Sequence, residues 1–201
     1  MPATRIGVLL LSTIAFAEVP LPELKVDAIT AGSVLFIRNV SDQPLVAYLI
    51  ELVDYPGSSY SLWQDELLGG EPIPAGVQKR IQITNMTVGA VPDYVKMRAA
   101  IYADGSSAGL PEKIALMVGR RKAQLAVARE LIKRLDAGED LTPWTDSLKP
   151  EGKPKYDSAD WVNRAAQHSF VLYFRQKLAS EPEAAVLAQV RVAESQLAGA
   201  K

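Results

Sequence analysis

The chain has 201 residues, 48% of them hydrophobic and 22% charged, with 22 Lys+Arg against 23 Asp+Glu, one histidine and no cysteine. A balance this close to neutral lacks the strongly basic face that nucleic acid requires. The missing cysteines exclude thiol nucleophiles, disulfides and cysteine metal sites, and His168 alone cannot supply a histidine-built metal centre.

Residues 1–17 have the pattern of a secretory signal peptide. Arg5 is the positive n-region, Ile6 to Phe16 the apolar core, and Ala15-Phe16-Ala17 the cleavage signal ahead of Glu18. The apolar run is shorter than the roughly 20 residues of a transmembrane helix, and no later run is longer. No cysteine follows it, which rules out a lipoprotein anchor. The expectation is a secreted or periplasmic chain, its leader cleaved or kept as an anchor. Loss of Arg5 leaves 21 Lys+Arg against 23 Asp+Glu, a net charge of −2. Without disulfides, packing alone must hold such a chain.

From residue 18 to 104 the pattern is that of strands. Residues 24–30 and 33–40 are the first two predicted, the second rich in β-branched and aromatic side chains. Ser41-Asp42-Gln43-Pro44 is a turn, since Asp bonds its own backbone and Pro cannot continue a central strand. Residues 45–55 follow, apolar on both faces, which predicts a strand covered by an opposing sheet on one side and helices on the other. Residues 60–67 carry Trp63. A Gly/Pro-dense turn then leads to an alternating strand at 77–84, in which the stem of Lys79 is expected to snorkel. Residues 94–103 alternate as a last half-buried strand. Short strands at regular spacing with turns between them predict an antiparallel sandwich.

The run Phe36-Ile37-Arg38-Asn39-Val40-Ser41-Asp42-Gln43-Pro44-Leu45, with Ile73-Pro74-Ala75-Gly76-Val77 ahead of a later strand, resembles immunoglobulin-like domains of exported bacterial proteins. The resemblance spans residues 30–104. It implies a β-sandwich, here without the Cys–Trp–Cys core, and a role in binding, spacing or assembly rather than catalysis. No family resembles the half that follows.

Asp104-Gly105-Ser106-Ser107-Ala108-Gly109 breaks the strand, and from Pro111 the period becomes 3.6. A helix over 111–135 is predicted, with Ile114, Met117, Val118, Leu125, Ala128, Ile132 and Leu135 as its stripe and Gly138 past its end. Arg120, Arg121, Lys122, Arg129, Lys133 and Arg134 make it basic; they form either a solvated face or a site for an acidic partner or lipid headgroups. Residues 136–156 have no period and are expected to be an irregular loop that lies against the fold through Leu141, Trp144 and Leu148. Trp144 serves there as a packing anchor or a recognition residue. A third segment, 157–179, is a helix capped by Asp157 or Ser158, with Trp161, Ala165, Leu172 and Phe174 along it. Ser180-Glu181-Pro182-Glu183 reads as a capping box for a last helix with Val186, Val190, Ala193 and Leu197 inside.

Chemistry is sparse. His168 sits mid-helix with no glycine elbow near any serine, against a Ser–His–acid triad. No glycine-rich phosphate loop occurs. Asp104, Ser106 and Ser107 have the oxygens of a cation site but lack EF-hand spacing, so the turn is the plainer account. Asp54, Asp65 and Glu66 stand near Tyr55, Tyr60 and Trp63 and are the acids from which glycoside-type chemistry would be built, given two carboxyls about 5–9.5 Å apart. Asn39-Val40-Ser41 and Asn85-Met86-Thr87 match glycosylation sequons, relevant in a eukaryotic secretory pathway alone. The expected architecture is α+β, an immunoglobulin-like antiparallel β-sandwich over 18–104 followed by a three-helix region over 105–201 docked on it. The expected role is an exported, non-enzymatic binding or assembly protein of the bacterial cell envelope, without cofactor. Its partner would be a protein or another envelope component, met through Trp63, Trp144, Arg120 or Arg121. The alternative is a carboxylate-dependent hydrolase of an extracellular substrate.

Overall fold

A computed structural model describes residues 19–30, 32–56, 59–68, 70–84, 92–153 and 155–200. The leader and the Asn85 sequon lie outside them. In chain order the strands are β1 (Glu23–Ile29), β2 (Gly32–Arg38), β3 (Leu45–Leu52), β4 (Tyr60–Asp65), β5 (Gln78–Thr84), β6 (Val95–Tyr102) and β7 (Ser107–Gly109). The helices are α1 (Pro111–Asp136), α2 (Leu141–Ser147), α3 (Ala159–Lys177) and α4 (Glu183–Gly199). Single 3₁₀ turns at Glu66–Leu68 and Pro92–Tyr94 flank β4 and β6.

The strands form two antiparallel sheets, one in the order β1-β2-β5 and one in the order β4-β3-β6-β7. Leu35 and Ile37 of β2 meet Tyr48, Ile50 and Leu52 of β3 and Ala100 and Tyr102 of β6 in the core between the sheets. All of β3 is buried, because its other face is covered too. There Val46, Ala47, Leu49, Ala99 and Ile101 pack on Met117, with Ile114 and Val118 beside it, all three on α1. A second core, from Leu131 and Leu135 to Phe170, Val171, Val186 and Val190, joins α1 to α3 and α4. The chain is α+β, with helices on one outer face of one sheet.

The corner between β6 and α1 follows from its residues. Asp104 Oδ1 accepts from the Ser106 N–H at 2.9 Å, and Gly105 has φ of 88°. Ser107–Gly109, expected as turn, is a strand on β6, too short for alternation to reveal. Gly109 must be glycine. Its φ is 106°, and a Cβ would stand 2.2 Å from the Arg98 carbonyl oxygen. α1 begins at the next residue but one and ends as a Schellman motif, with Gly138 N–H on Leu135 O and Glu139 N–H on Arg134 O, both at 3.0 Å.

Four expectations need correction. Among the described residues there are four helices, not three: α2 forms inside the expected loop 136–156. Its N-cap Asp140 accepts from the Thr142 N–H, and Pro143 falls in the first turn, where no intrahelical N–H is needed. The buried face of α1 includes Lys113, Arg121 and Gln124, while Ile114, Leu125 and Ile132 are only half-buried. On α3 it is Val162, Ala166, Phe170, Val171 and Phe174 that are buried, with Trp161, Ala165 and Leu172 half-buried. The capping box does not form, because Pro182 takes the N-cap. Ser180 Oγ donates instead to Lys177 O, and Glu181 holds Lys177 at 2.9 Å. The stripe of α4 is as expected, with Val186, Val190, Ala193 and Leu197 buried.

Candidate functional site

β4 lies at the edge of its sheet and alternates between two environments. Tyr60 and Leu62 pack into the core between the sheets. Ser61, Trp63 and Asp65 face α1, and each meets a polar partner there. Glu66, just past the strand, turns back between the sheets and is fully buried. Its carboxylate accepts from Lys79 Nζ at 2.6 and 2.7 Å and from the Tyr48 hydroxyl at 3.2 Å. Lys79 therefore points inward to an acid rather than snorkelling. Burial, and then the Glu66 charge, push the Tyr48 hydroxyl far above its ordinary pKa.

α1 crosses this face with Lys113, the adjacent pair Arg120 and Arg121 about two turns on, and Gln124 about one turn further. Lys113 Nζ donates to Glu51 Oε1 at 2.9 Å and to Asp157 Oδ1 at 2.5 Å. Ser61 Oγ donates to the same Glu51 oxygen at 3.2 Å, and Arg98 Nε stands 3.4 Å from the other. The Arg98 contact is electrostatic only, since Nε makes no hydrogen bond there. Burial pulls the Lys113 pKa down, but hydrogen bonds and charge from Asp157 and Glu51 outweigh it and the net shift is upward. Lys113 is thus held protonated and is no general base. Eight residues on, Arg121 makes a bidentate pair with Asp65, at 2.6 Å from Nε and 2.9 Å from the terminal nitrogen. The two pairs clamp the helix to the sheet on either side of Met117.

Beyond the clamp a groove runs along the free edge of β4, with α3 and α4 as its opposite wall. Four cavities make it up. The first, about 860 Å³, lies between Tyr60, Glu51, Lys113 and Asp157. The second, about 310 Å³, is lined by Trp63, Arg120, Tyr156, Trp161 and Val162. The third, about 340 Å³, reaches Asp65, Gln124, Phe170 and Phe174. The last, about 360 Å³, ends at Gly70, Tyr173 and Val192. The first two share Ser61 and Tyr156, the middle two Trp63, Arg120 and Ser169, the last two Leu68, Tyr173, Phe174 and Ala193. Neighbouring cavities thus share lining residues in a row along β4.

Of the residues expected at a site, Trp63 and Arg120 meet in this groove, the guanidinium 5.6 Å from the ring centroid. Burial lowers the Arg120 pKa from its ordinary value, with Asp65 opposing. Arg121 is adjacent but buried in its ion pair, so part of the basic cluster is internal rather than solvated. Lys122, Arg129 and Lys133 are exposed. Trp144 packs on the helical core beneath the Arg134 guanidinium, 4.7 Å from its ring centroid. The three acids named for glycoside-type chemistry are not brought together. Asp54 is exposed past the end of β3 with φ of 56°, whereas Asp65 pairs opposite Ala47 at the other end of the hairpin. Asp65 is engaged by Arg121 and Glu66 by Lys79. Asp104 Oδ1 holds the Ser106 N–H and hydroxyl, and Ser107 pairs with Ile101 in β7.

Glu51, Ser61, Arg98, Lys113 and Gln124 were not singled out in the sequence, and Asp157 was named only as a helix cap, a place that Ser158 takes. The signal for Glu51 was present: a lone acid inside an otherwise apolar strand. Compared with protein-family models, with curated proteins and with solved structures, the chain matches none. Among the described residues no three His, Cys, Asp or Glu side chains are grouped to hold a metal ion, and no helix is long and apolar enough to cross a membrane.

Proposed function

We propose that the chain is an exported, non-enzymatic binding or assembly protein of the bacterial cell envelope, built on an immunoglobulin-like sandwich, and that it takes its partner into the groove along β4. The strand order supports the sandwich: β1-β2-β5 facing β4-β3-β6-β7 is the arrangement of strands A-B-E and C′-C-F-G in that fold. The export reading rests on the leader-like residues 1–17. The observation that carries the rest is the state of the acids lining the groove. Glu51 and Asp65 are each tied to a cation from α1, and the cation tied to Glu51 is held protonated. These two acids are thereby engaged in positioning α1 rather than standing free beside a nucleophile, which favours recognition over catalysis. The alternative, a carboxylate-dependent hydrolase, would draw on Asp54, Asp65 and Glu66, of which Asp65 is engaged by Arg121 and Glu66 by Lys79.

Ser169 is exposed on α3, where the second and third cavities join. Ser169→Trp should fill the groove without touching a core. Tagged wild-type chain recovered from periplasm or medium should bring down a partner that the variant does not, at an unchanged melting temperature. A partner held equally well by Ser169→Trp refutes the groove as its site.

A further inference from the structure

Resting on the binding reading above, we propose that the groove takes an extended peptide segment of another protein as an added strand on β4, with an acidic side chain of that segment seated on Arg120. β4 pairs with β3 alone, so every second N–H and C=O on its outer side has no strand partner among the described residues. Free edges of this kind are ordinarily blunted by charge, Pro or a bulge. The other sheet shows the usual protection, with Glu23, Lys25 and Asp27 on β1 and Lys79 and Arg80 on β5. β4 reads Tyr-Ser-Leu-Trp-Gln-Asp, and its one charge is consumed by Arg121. All six of its residues are half-buried. The unblunted edge is therefore partly covered and lined by the row of cavities, a setting suited to a single extended chain.

The groove also carries polar groups left over from folding. Arg120 is half-buried against Trp63, and no carboxylate among the described residues hydrogen-bonds to it, since both oxygens of nearby Asp65 go to Arg121. A guanidinium in that state is the complement of a carboxylate, which it grips bidentately. Gln124, 5% exposed, lines the third cavity with a buried Oε1 that accepts no hydrogen bond, and Trp161 lines the second with a buried Nε1 that donates none. An acceptor, a donor and a cation thus flank an open strand edge. Six residues of β4 span roughly 20 Å at 3.3 Å per residue, room for a ligand of similar length. Side chains of an added strand alternate, so positions on the same face as the acid would enter the apolar cavities at Val162 and at Phe170 and Phe174.

The test is selection of peptides on the full chain from a displayed random library. Enriched sequences should carry Asp or Glu at one fixed position, with apolar residues two positions away. Methylating the backbone nitrogen of a selected synthetic peptide should weaken binding about tenfold or more at alternate positions and little between them, as for loss of one strand hydrogen bond and its geometry. Arg120→Glu should reverse the selected charge to Lys or Arg, with the far-ultraviolet spectrum unchanged. Peptides that displace the Ser169-sensitive partner yet ignore both N-methylation and Arg120→Glu would sink strand addition and leave the groove reading intact. Failure to enrich any peptide overturns this proposal, while the pull-down still decides the groove itself. A chain that dimerises through β4, detected by sedimentation and abolished by Leu62→Pro, would make a second copy the occupant and overturn it as well.

Discussion

Removing the Arg121 guanidinium measures how firmly α1 is clamped to the sheet. Arg121 is 7% exposed and the Asp65 side chain 14%. In Arg121→Met the carboxylate keeps its place in the groove wall with one remaining protein donor, the Leu67 N–H at 3.2 Å. Breaking a buried pair in this way costs about 3–5 kcal/mol; the residual exposure of Asp65 reduces the figure to about 2–4 kcal/mol. For a chain of this size that is a fall in Tm of about 5–12 °C. Asp65→Asn should cost about 2 kcal/mol or more, leaving the buried guanidinium without a counter-ion. The double variant behaves differently. The introduced asparagine can still accept from the Leu67 N–H, the introduced methionine fills the space of the arginine stem, and neither member of the pair leaves its partner's charge unmatched. It should lie within about 1 kcal/mol of wild type. Urea denaturation followed by tryptophan fluorescence gives all four corners of the cycle, with Trp63 beside the perturbed pair. If the two single losses simply add in the double variant, the pair is not coupled and the clamp argument is wrong.

Two further outcomes follow from the geometry. At the β6–α1 corner, Gly109→Ala meets the Arg98 carbonyl at 2.2 Å, and Gly105→Val must adopt φ near 88°, so each should destabilise by roughly 1–3 kcal/mol, with Gly109→Ala the worse. Gly138→Ala, with open space around the Cβ, should cost only about 1 kcal/mol by comparison; equal melts for all three would refute the close-approach argument. At high pH, burial raises the Tyr102 hydroxyl from 10.0 to about 12. Its contribution is complete below pH 10 and is lost as pH rises through the window from 10 to about 12, because the unfolded chain ionises first. Tyr48 and Lys113, both raised, act in the same direction. Tyr102→Phe gives up the bond to Pro20 O at neutral pH but should lose Tm less steeply between pH 10 and 12; an unchanged slope refutes the assignment.

Alternation located β5 and β6, β-branched and aromatic content located β2, and the apolar faces of β3 announced that it would be covered twice. The stripe of α4 was legible for the same reason: Val186, Val190, Ala193 and Leu197 face an apolar core and nothing else. α1 was legible in extent but not in rotation. Lys113 and Arg121 lie on its buried face because Glu51 and Asp65 wait on strands more than fifty residues earlier, and hydrophobicity alone cannot see such a pairing. Pro143 and Pro182 misled in opposite ways: one sits in the first turn of a helix where a loop was expected, the other displaced the capping box. The groove was invisible because one wall is β4 and the other is α3 and α4, about a hundred residues later, and each wall taken alone looks ordinary. Trp63 and Arg120 were found as residue types but not as a pair.

The charge buried at Glu51 has a consequence for how the chain survives its own synthesis. β3 and β6 are made before α1, so Ala47, Leu49, Ala99 and Ile101 face water until the chain through Asp136 has followed, on the order of seconds at about 5–20 residues per second. A bare apolar sheet face of that kind is an invitation to aggregate. Glu51 stands on that same face without its helix partner until Lys113 arrives, an acid interrupting an otherwise sticky strand as gatekeeper residues do. The same carboxylate that keeps the nascent sheet apart from other chains then becomes the anchor for the helix that covers it.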